Sequence, residues 1–242
     1  MERFIAAPPG QAVPAGFSPA HMAYRIGSGF RLLGIRLSRP MEGGLMMVDC
    51  RDFDGQGDPA CCARQIMGEC RKRGFQGVVC DFEGPPLPTL NRLISLLADK
   101  IPLHVPEAYA HVSPAARVMI PSALTSGTLE RRLSSAQSRY GDRLTLAVEW
   151  LREDFSLPAM GRGQPMDQSV LEEQIQRLEP AVFFDRGLCA HYYTYMAGTQ
   201  AHFVLFDTPR SIREKLRTAE RLGLTAALLP PEAAEYGEQI LA

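Results

Sequence analysis

The sequence has few of the features that mark membrane or nucleic-acid-binding proteins. No stretch approaches the roughly 18 uninterrupted apolar residues that a transmembrane helix needs. The formal net charge is -1, from 26 Lys and Arg against 27 Asp and Glu, so the chain offers no field that would attract a polyanion. We therefore expect neither a membrane nor a nucleic acid as a partner, and the oligomeric state stays open.

Cysteine is present six times, but never in a C-x-x-C pair or at a spacing typical of zinc ligands. The opening residues, MERFIAAPPGQAVPAG, lack the basic end and apolar core of a secretory signal. These absences predict reduced thiols in a cytoplasmic protein. The acidic run DCRDFDGQGD has Ala63 at the twelfth position counted from Asp52, where a calcium loop has Glu, so we expect no metal site.

Several catalytic and nucleotide-binding motifs are also missing. The chain has no G-x-G-x-x-G or G-x-x-x-x-G-K-[ST] loop, which speaks against a nucleotide site and against a nucleotide cofactor. It has no G-x-S-x-G elbow and no H-E-x-x-H pair, which speaks against serine hydrolases and zinc peptidases. We expect an ordinary globular protein that uses no cofactor.

What the chain does contain is an alternation of short apolar runs with helical periodicity. From Leu45 onward, runs such as LMMVDC, GVVCDFE, LTLAVEW, AVFFD, HFVLFD and LTAALL are separated by polar or amphipathic segments. Continuous apolar strands bounded by helices are typical of a parallel sheet covered on both faces. With 242 residues, the chain has the size of one (β/α)₈ barrel. We predict an α/β fold, a TIM-barrel-like single domain over residues 1–242, with some irregularity.

The boundaries inside this domain follow from composition. Residues 1–20 are rich in Pro, Gly and Ala, which predicts an irregular N-terminal arm. Met22 to Ile26 and Phe30 to Leu37 flank a Gly-Ser-Gly turn and predict a hairpin, so residues 1–40 are arm and hairpin and residues 45–242 are barrel. If LHVPEAYA and RVMIPSA are both strands, the barrel has eight. Their connection is short for a crossover helix, so seven strands plus a hairpin is equally open.

Helical periodicity is clearest in TPRSIREKLRTAERLG. Ile212, Leu216, Ala219 and Leu222 recur at spacings of four and three and form one apolar stripe. Thr208 or Asp207 is a suitable N-cap, and Gly223 can end the helix. Further helices are predicted over Pro59 to Arg73, Leu87 to Lys100, Ser169 to Leu178 and a short stretch from Pro231.

Two carboxylates stand out in the run GFQGVVCDFEGPP. Side chains of a strand alternate with period two, so Val79, Asp81 and Glu83 share one face, with the two acids roughly 7 Å apart at Cα. They lie near the carboxyl end of the strand, which in barrels carries the chemistry. Neighbouring acids disfavour simultaneous ionisation, which can keep one protonated as a general acid. Alternatively, the two acids cap the next loop and pair with Arg side chains.

The residues from Phe75 to Glu83 resemble the signature strand of glycoside hydrolase family 18, the chitinase-like barrels, written F-D-G-hydrophobic-D-hydrophobic-D-W-E. The initial Phe, the Gly, the last Asp and the final Glu are retained, while Gln76 and Val79 replace two aspartates and Phe82 replaces the Trp. By this resemblance Glu83 is the proton donor, and Asp81 orients the substrate's 2-acetamido group, whose oxygen acts as nucleophile. The aspartate lost at Val79 would help to hold and tune Asp81.

Two more segments resemble the family. AVFFD is similar to its M-x-Y-D strand, with Asp185 kept and Phe184 in place of the Tyr. FDTPRSIREKLRTAERLGLTAALL is similar to its closing helix and strand, but Leu229 and Pro230 stand where the family has a Trp.

Other candidate substrate contacts come from strand ends and one loop. They are Asp49 after LMMVD, Glu149 and Trp150 at the end of LTLAVEW, Asp185, and Tyr192 and Tyr193 in a predicted loop. Trp and Tyr suit stacking on a sugar ring, although either can also be core. The segment from Leu151 to Ser169 has the composition of a lid or surface loop.

The resemblance implies a glycoside hydrolase acting on N-acetylated glycans, with an oligosaccharide or small-molecule ligand. An inert barrel that binds carbohydrate or protein, and a barrel enzyme acting on a small metabolite, remain open alternatives.

Overall fold

The computed structural model describes residues 1–35, 41–159 and 161–242. Its strands are, in chain order, β1 (Glu2–Ala7), β2 (Ser18–Gly27), β3 (Arg31–Gly34), β4 (Leu45–Asp49), β5 (Gly77–Asp81), β6 (Leu103–Pro106), β7 (Arg117–Pro121), β8 (Leu144–Ala147), β9 (Arg152–Ser156), β10 (Gln164–Pro165), β11 (Phe183–Asp185), β12 (Ala190–Ala197), β13 (Gln200–Phe206) and β14 (Ala226–Leu229). The α-helices are α1 (Pro59–Arg73), α2 (Pro88–Ala98), α3 (Leu129–Tyr140), α4 (Gln168–Leu178), α5 (Pro209–Arg221) and α6 (Gly237–Leu241).

Eight of the described strands close into a parallel barrel. Their order around the barrel is β1, β2, β4, β5, β6, β7, β8 and β14, and the ring is complete because β1 pairs in parallel with both β2 and β14. The strand β3 is an extra, antiparallel partner of β2. The predicted α/β barrel is therefore confirmed, including its irregularity, since β1 and β2 follow each other without a helix.

Two barrel strands come from the part of the chain, residues 1–40, that was predicted to be arm and hairpin outside the barrel. Glu2–Ala7 is the strand β1, with Ile5 fully buried, and Ser18–Gly27 is the strand β2. Pro8, Pro9 and Pro14, which suggested an irregular arm, lie in the loop between β1 and β2. The predicted hairpin is confirmed by the antiparallel pairing of β2 with β3, although its last residues, 36 and 37, lie outside the described residues.

The runs AVFFD and HFVLFD were predicted as barrel strands, which is wrong. They form β11 and β13 of a separate antiparallel sheet, ordered β10, β9, β13, β12 and β11. An apolar run alone does not tell a parallel strand from an antiparallel one. Conversely, β6 and β7 pair in parallel although only residues 107–116 connect them, through a 3₁₀ turn at Glu107–Tyr109. The alternative of seven strands plus a hairpin is therefore wrong.

The interior of the barrel is filled by side chains from alternate positions of its strands. One apolar cluster contains Phe4, Ala6, Ala20, Leu45, Met47, Val79, Met119 and Ala226. A polar pair completes it, in which the ring of His104 lies 2.9 Å from the hydroxyl of Thr145, both buried. Intervening residues such as Val78 and Cys80 face outward and pack with residues of α1 and α2.

The helices surround this barrel much as their periodicity indicated. Asp58 caps α1 by accepting the N–H of Ala60, and Gly74 ends the helix with φ +66°. Thr208 caps α5 in a capping box with Ser211. The helix α3 was not predicted; its apolar stripe is only Leu129, Leu133 and Ala136. Among residues 1–35, 41–159 and 161–242, no helix has both the length and the apolarity needed to cross a bilayer.

The antiparallel sheet is inserted between β8 and α5. The helix α4 covers one of its faces, where Leu171 of the helix packs with Tyr193, Val204 and Phe206 of the sheet. The opposite face carries Phe155, Ala190 and Leu205, which pack with Leu151 and Ala123 from the loops after β8 and β7. Because those loops leave the carboxyl ends of barrel strands, the insert stands beside the mouth of the barrel, the end where parallel-barrel enzymes carry their sites.

Candidate active site

Asp81 is the last residue of β5, a strand that runs parallel to both β4 and β6. Val79, two residues earlier, packs into the barrel interior, whereas Val78 and Cys80 pack outward. Alternation therefore directs Asp81 toward the barrel axis at the mouth. The predicted parallel strand is confirmed, but it ends at Asp81, so Glu83 does not share a strand face with Val79 and Asp81 as the alternation in the sequence had predicted.

Glu83 follows two residues beyond the end of β5 and is exposed. Between the two acids, Phe82 is buried and contacts the ring of Tyr109, with ring centroids 5.8 Å apart. This anchor fixes the chain immediately after the strand, so that Glu83 stands at the rim while Asp81 stands below it. The exposed position leaves the Glu83 carboxyl accessible to a ligand entering the mouth.

The pKa of the Asp81 carboxyl is raised from its ordinary value. Burial is the main cause because it disfavours the charged form, and the negative charges of Glu83 and Asp49 act in the same direction. The guanidinium of Arg51 opposes them. At the mouth, burial and the charges of two neighbouring acids thus act together to disfavour the charged form of Asp81.

Asp49 lies directly beside Asp81 on the neighbouring strand. The two residues are register partners in the parallel pairing of β4 with β5, and each ends its strand. The carboxylate of Asp49 accepts hydrogen bonds from the side chain of Arg51 at 2.9 Å and from its backbone N–H at 3.2 Å. Sequence reasoning had selected Asp49 but overlooked Arg51, although an Asp-x-Arg spacing after a strand is a readable signal for a local ion pair.

A cavity of about 760 Å³ lies between the insert and the loops after β7 and β8. Neither Asp81 nor Glu83 lines it, but Glu149 does, together with Glu153, Arg162 and the rings of Phe155 and Phe203. The Glu149 carboxylate accepts the N–H of Ala123 at 3.0 Å, which holds it at the cavity wall. The predicted lid segment from Leu151 to Ser169 supplies part of this wall, while its Met160 lies outside the described residues.

Trp150 faces away from that cavity. Its ring packs against the ring of Tyr236, with centroids 5.2 Å apart, and lines a different cavity of about 480 Å³ beside α4. Successive residues of an extended chain point to opposite sides, so the placement of Glu149 at the first cavity puts Trp150 at the second. The structure does not bring Trp150 to Asp81 and Glu83.

The remaining candidates lie on the inserted sheet, where the predicted tyrosine loop is the strand β12. Tyr193 is fully buried beneath α4 and donates a hydrogen bond to Gln174, so it is a core residue and not an available contact. Tyr192 is on the opposite face, stacked between Phe183 and Phe203 at centroid distances of 5.5 and 5.3 Å.

Asp185 ends β11 and accepts the N–H of Leu188 at 2.8 Å, which closes the turn to β12. This residue is not on a barrel strand, so the correspondence of AVFFD with the M-x-Y-D strand of family 18 is wrong. The helix α5 and the strand β14 do occupy the closing position that the sequence suggested, since β14 is the last strand of the barrel.

The fold and this mouth define the class: a (β/α)₈ barrel with an inserted antiparallel sheet and a group of acids at the carboxyl ends of β4 and β5. No family model matches the sequence, and no curated protein matches it. Solved structures do match, and chitinases and spore cortex-lytic enzymes are among them.

The chitinase from Chromobacterium violaceum ATCC 12472 superposes with a TM-score of 0.68 at 15% identity, over 95% of this chain and 93% of that one. The spore cortex-lytic enzyme SleL of Bacillus megaterium QM B1551 gives 0.63 at 12% identity, over 98% and 73%. A class V chitinase from Pseudomonas fluorescens Pf-5 gives 0.59 at 16% identity, over 93% and 94%. The chain therefore has the divergent chitinase-like barrel fold.

Proposed function

We propose that this chain is a glycoside hydrolase that acts on N-acetylated glycans, with Glu83 as the proton donor and Asp81 as the group that supports the substrate's acetamido function. The observation that carries the proposal is the position of the two acids. Asp81 ends a parallel barrel strand and faces the axis, and Glu83 stands exposed two residues further on. Solved structures of two chitinases share this fold.

The chemistry follows from the different surroundings of the two carboxyl groups. Glu83 at the rim reaches a glycosidic oxygen from the solvent side and delivers a proton to it as the bond breaks. Asp81 lies deeper, where its charge acts through fewer water molecules and therefore more strongly. The acetamido oxygen attacks the anomeric carbon, and Asp81 supports the positive charge that develops on the resulting intermediate.

The substrate class is supported by the polar and aromatic groups near the mouth. Glu149 and the rings of Phe155 and Phe203 line one cavity, which mixes the apolar surface and hydrogen-bonding groups that a sugar ring requires. Of the candidates named from the sequence, we propose Asp49 and Glu149 as substrate contacts, together with Tyr192, which packs on the face of the insert that carries Phe155. All six cysteines lie in the described residues and are unpaired, which supports a reducing compartment such as the cytoplasm.

The test is turnover of a chromogenic N-acetylglucosaminide by the wild type and by Glu83→Gln. The amide keeps the shape of the side chain but has no proton to deliver, so kcat should fall about a hundredfold to ten-thousandfold while sugar affinity is kept. Asp81→Asn should also lower kcat, because the support of the intermediate is lost. Glu173→Gln is the matched control, because Glu173 is exposed on α4 and lines neither cavity, and it should leave turnover within about twofold.

Two outcomes would contradict the proposal. If the wild type binds N-acetylated sugars but does not cleave them, the chain is an inert carbohydrate-binding barrel. If it neither binds nor cleaves them across a broad panel, the acids serve local pairing or the chemistry of another small metabolite.

A further inference from the structure

The lateral pair formed by Asp49 and Asp81 is the least expected feature of the barrel mouth. Both are the last residues of parallel neighbouring strands, and they are register partners. Neighbouring strands lie about 4.8 Å apart, and partners in register point to the same face. The two carboxyl groups are therefore close side by side on the inner wall, with 16% of the Asp49 side chain exposed.

The position one layer below Asp81 holds no acid. Val79 is buried there among apolar side chains that include Met47. Its register partner on β6 is His104, whose ring is hydrogen-bonded to the hydroxyl of Thr145. Burial lowers the pKa of His104 to about 4, so its ring is neutral. Among residues 1–35, 41–159 and 161–242, then, no carboxylate lies in the layer below Asp81, and a carboxylate partner within them comes from the side or from above.

The groups that face Asp81 are few. On the β6 side, two residues beyond the pairing of Val79 with His104, stands Pro106, which has no charge. On the β4 side stand Asp49 and, beyond it, Arg51 and the Cys50 thiol, whose pKa is raised first by burial. From its own chain, Glu83 contributes a negative charge. Asp49 is thus the carboxylate that a neighbouring strand supplies to Asp81.

Arg51 holds Asp49 in a defined position. Its guanidinium and its backbone N–H both donate to the Asp49 carboxylate, at 2.9 and 3.2 Å. The negative charge of Asp49 beside Asp81 raises the pKa of Asp81, since two adjacent negative charges repel. Asp49 therefore faces Asp81 as a carboxylate fixed from the side.

We propose that Asp49 is a positioning residue for Asp81, supplying from the neighbouring strand the carboxylate that this chain lacks at Val79. Held by Arg51, Asp49 stands beside the Asp81 carboxyl group on the inner wall and fixes the side from which a negative charge acts on it. Only the role of Asp81 toward a substrate rests on the proposed function.

The test is the titration of the Asp81 carboxyl carbon, followed by NMR in protein with labelled aspartate and assigned by Asp81→Asn. The substitution Asp49→Asn should lower the pKa of Asp81, because the neighbouring negative charge is lost. Asp52→Asn is the matched control: Asp52 is three residues further along, exposed and paired with Arg25 at 2.6 Å. It should leave the Asp81 titration where it is in the wild type.

A kinetic measurement separates positioning from mere support of the fold. With an N-acetylglucosaminide, Asp49→Asn should lower kcat about tenfold to a hundredfold, the range for losing an interaction with a charged group, and should displace the pH profile with KM nearly unchanged. Thermal unfolding of the variant should stay close to that of the wild type.

The inference is overturned if Asp81 titrates identically in the wild type and in Asp49→Asn, or if Asp52→Asn moves the titration as much. The titration requires no turnover, so the two proposals fail separately. A shift without any sugar cleavage supports the pairing and contradicts the hydrolase. Cleavage that depends on Glu83 but not on Asp49, with no shift, contradicts the pairing alone.

Discussion

At the scale of single residues, the stability of the barrel depends on ionisable side chains that are buried away from water. His104 is the clearest case, because it points into the barrel interior, lies 6.1 Å from the ring of Phe4 and is 5% exposed. Thr145 gives it a single hydrogen-bond partner. Burial first, and then the charge of Arg117, lower its pKa from 6.5 to about 4, so the folded protein holds this ring neutral.

The neutral His104 predicts a loss of stability in mild acid. The unfolded chain takes up a proton below pH 6.5, whereas the folded chain does so only near pH 4, so the free energy of unfolding decreases as the pH falls through that window. The shift corresponds to about 3 kcal/mol. Urea unfolding of the wild type between pH 7 and pH 4 should show this slope.

The variant His104→Gln should be less pH-dependent over the same range because it has no imidazole to protonate. His111→Gln is the control, since His111 is exposed and bonds only to the carbonyl of Ala108. It should keep the wild-type slope. Equal slopes in the wild type and in His104→Gln would assign the acid sensitivity to other groups.

At the scale of elements, the helix α5 joins the insert to the barrel through a buried polar cluster. Asp207 accepts the Nζ of Lys215 at 2.6 Å, the hydroxyl of Ser211 at 2.7 Å and the N–H of Leu151 at 2.9 Å. Its own N–H donates to the carbonyl of Leu151 at 2.7 Å. Residues 151 and 207 are where the chain leaves and re-enters the barrel, so one carboxylate holds both connections of the insert.

Replacing Lys215 by Met should therefore destabilise the protein. The change leaves the charge of Asp207 buried without its cation, which typically costs about 3–5 kcal/mol. Chemical denaturation measures this cost. Arg217→Met on the same helix is the control, because its pair with Glu214 is exposed and such pairs contribute about 0–1 kcal/mol. If both variants lost the same stability, the buried cluster would have no special role.

The helices also show what local pattern can predict. α1 and α5 were predicted within about two residues of their observed bounds, because Asp58 and Thr208 are N-caps, Gly74 and Gly223 follow the helix ends, and the apolar stripe is regular. α3 was not predicted. Its three apolar contacts stand in an otherwise polar segment, so its helical state depends on the barrel wall against which it packs.

At the scale of the whole molecule, β1 closes the barrel by pairing with β2 on one side and β14 on the other. Deleting residues 1–7 would open both edges and remove Phe4 and Ile5 from the core, so we expect the shortened chain to aggregate and to lose its cooperative thermal transition. Ala12→Ser is the control, since Ala12 is exposed in the loop after β1.

The closure prediction is measured by soluble yield and by the thermal unfolding curve. A synthetic peptide of residues 1–16 should restore the cooperative transition when it is added during refolding, because the vacant position has parallel partners on both sides. If the shortened chain folded unaided with the wild-type transition, β1 would be dispensable to the barrel.

The sequence by itself determined the local part of this protein. It determined that apolar strands alternate with amphipathic helices, where the strong caps lie, and that Asp81 is on a strand with its side chain on the face of Val79, because these properties depend on neighbours along the chain. It also carried the chitinase-like signature from Phe75 to Glu83.

Tertiary structure decided which strands share a sheet. The local sequence of β1 does not specify that its partners are β2 and β14, and the local sequences of β11 and β13 do not specify that these strands belong to the insert. Strand pairing depends on segments that are far apart in the chain. The same long-range register put Asp49 beside Asp81 and turned Trp150 and Tyr193 away from the mouth. Side-chain alternation assigns a residue to a face, but only the closing of the barrel decides what that face meets.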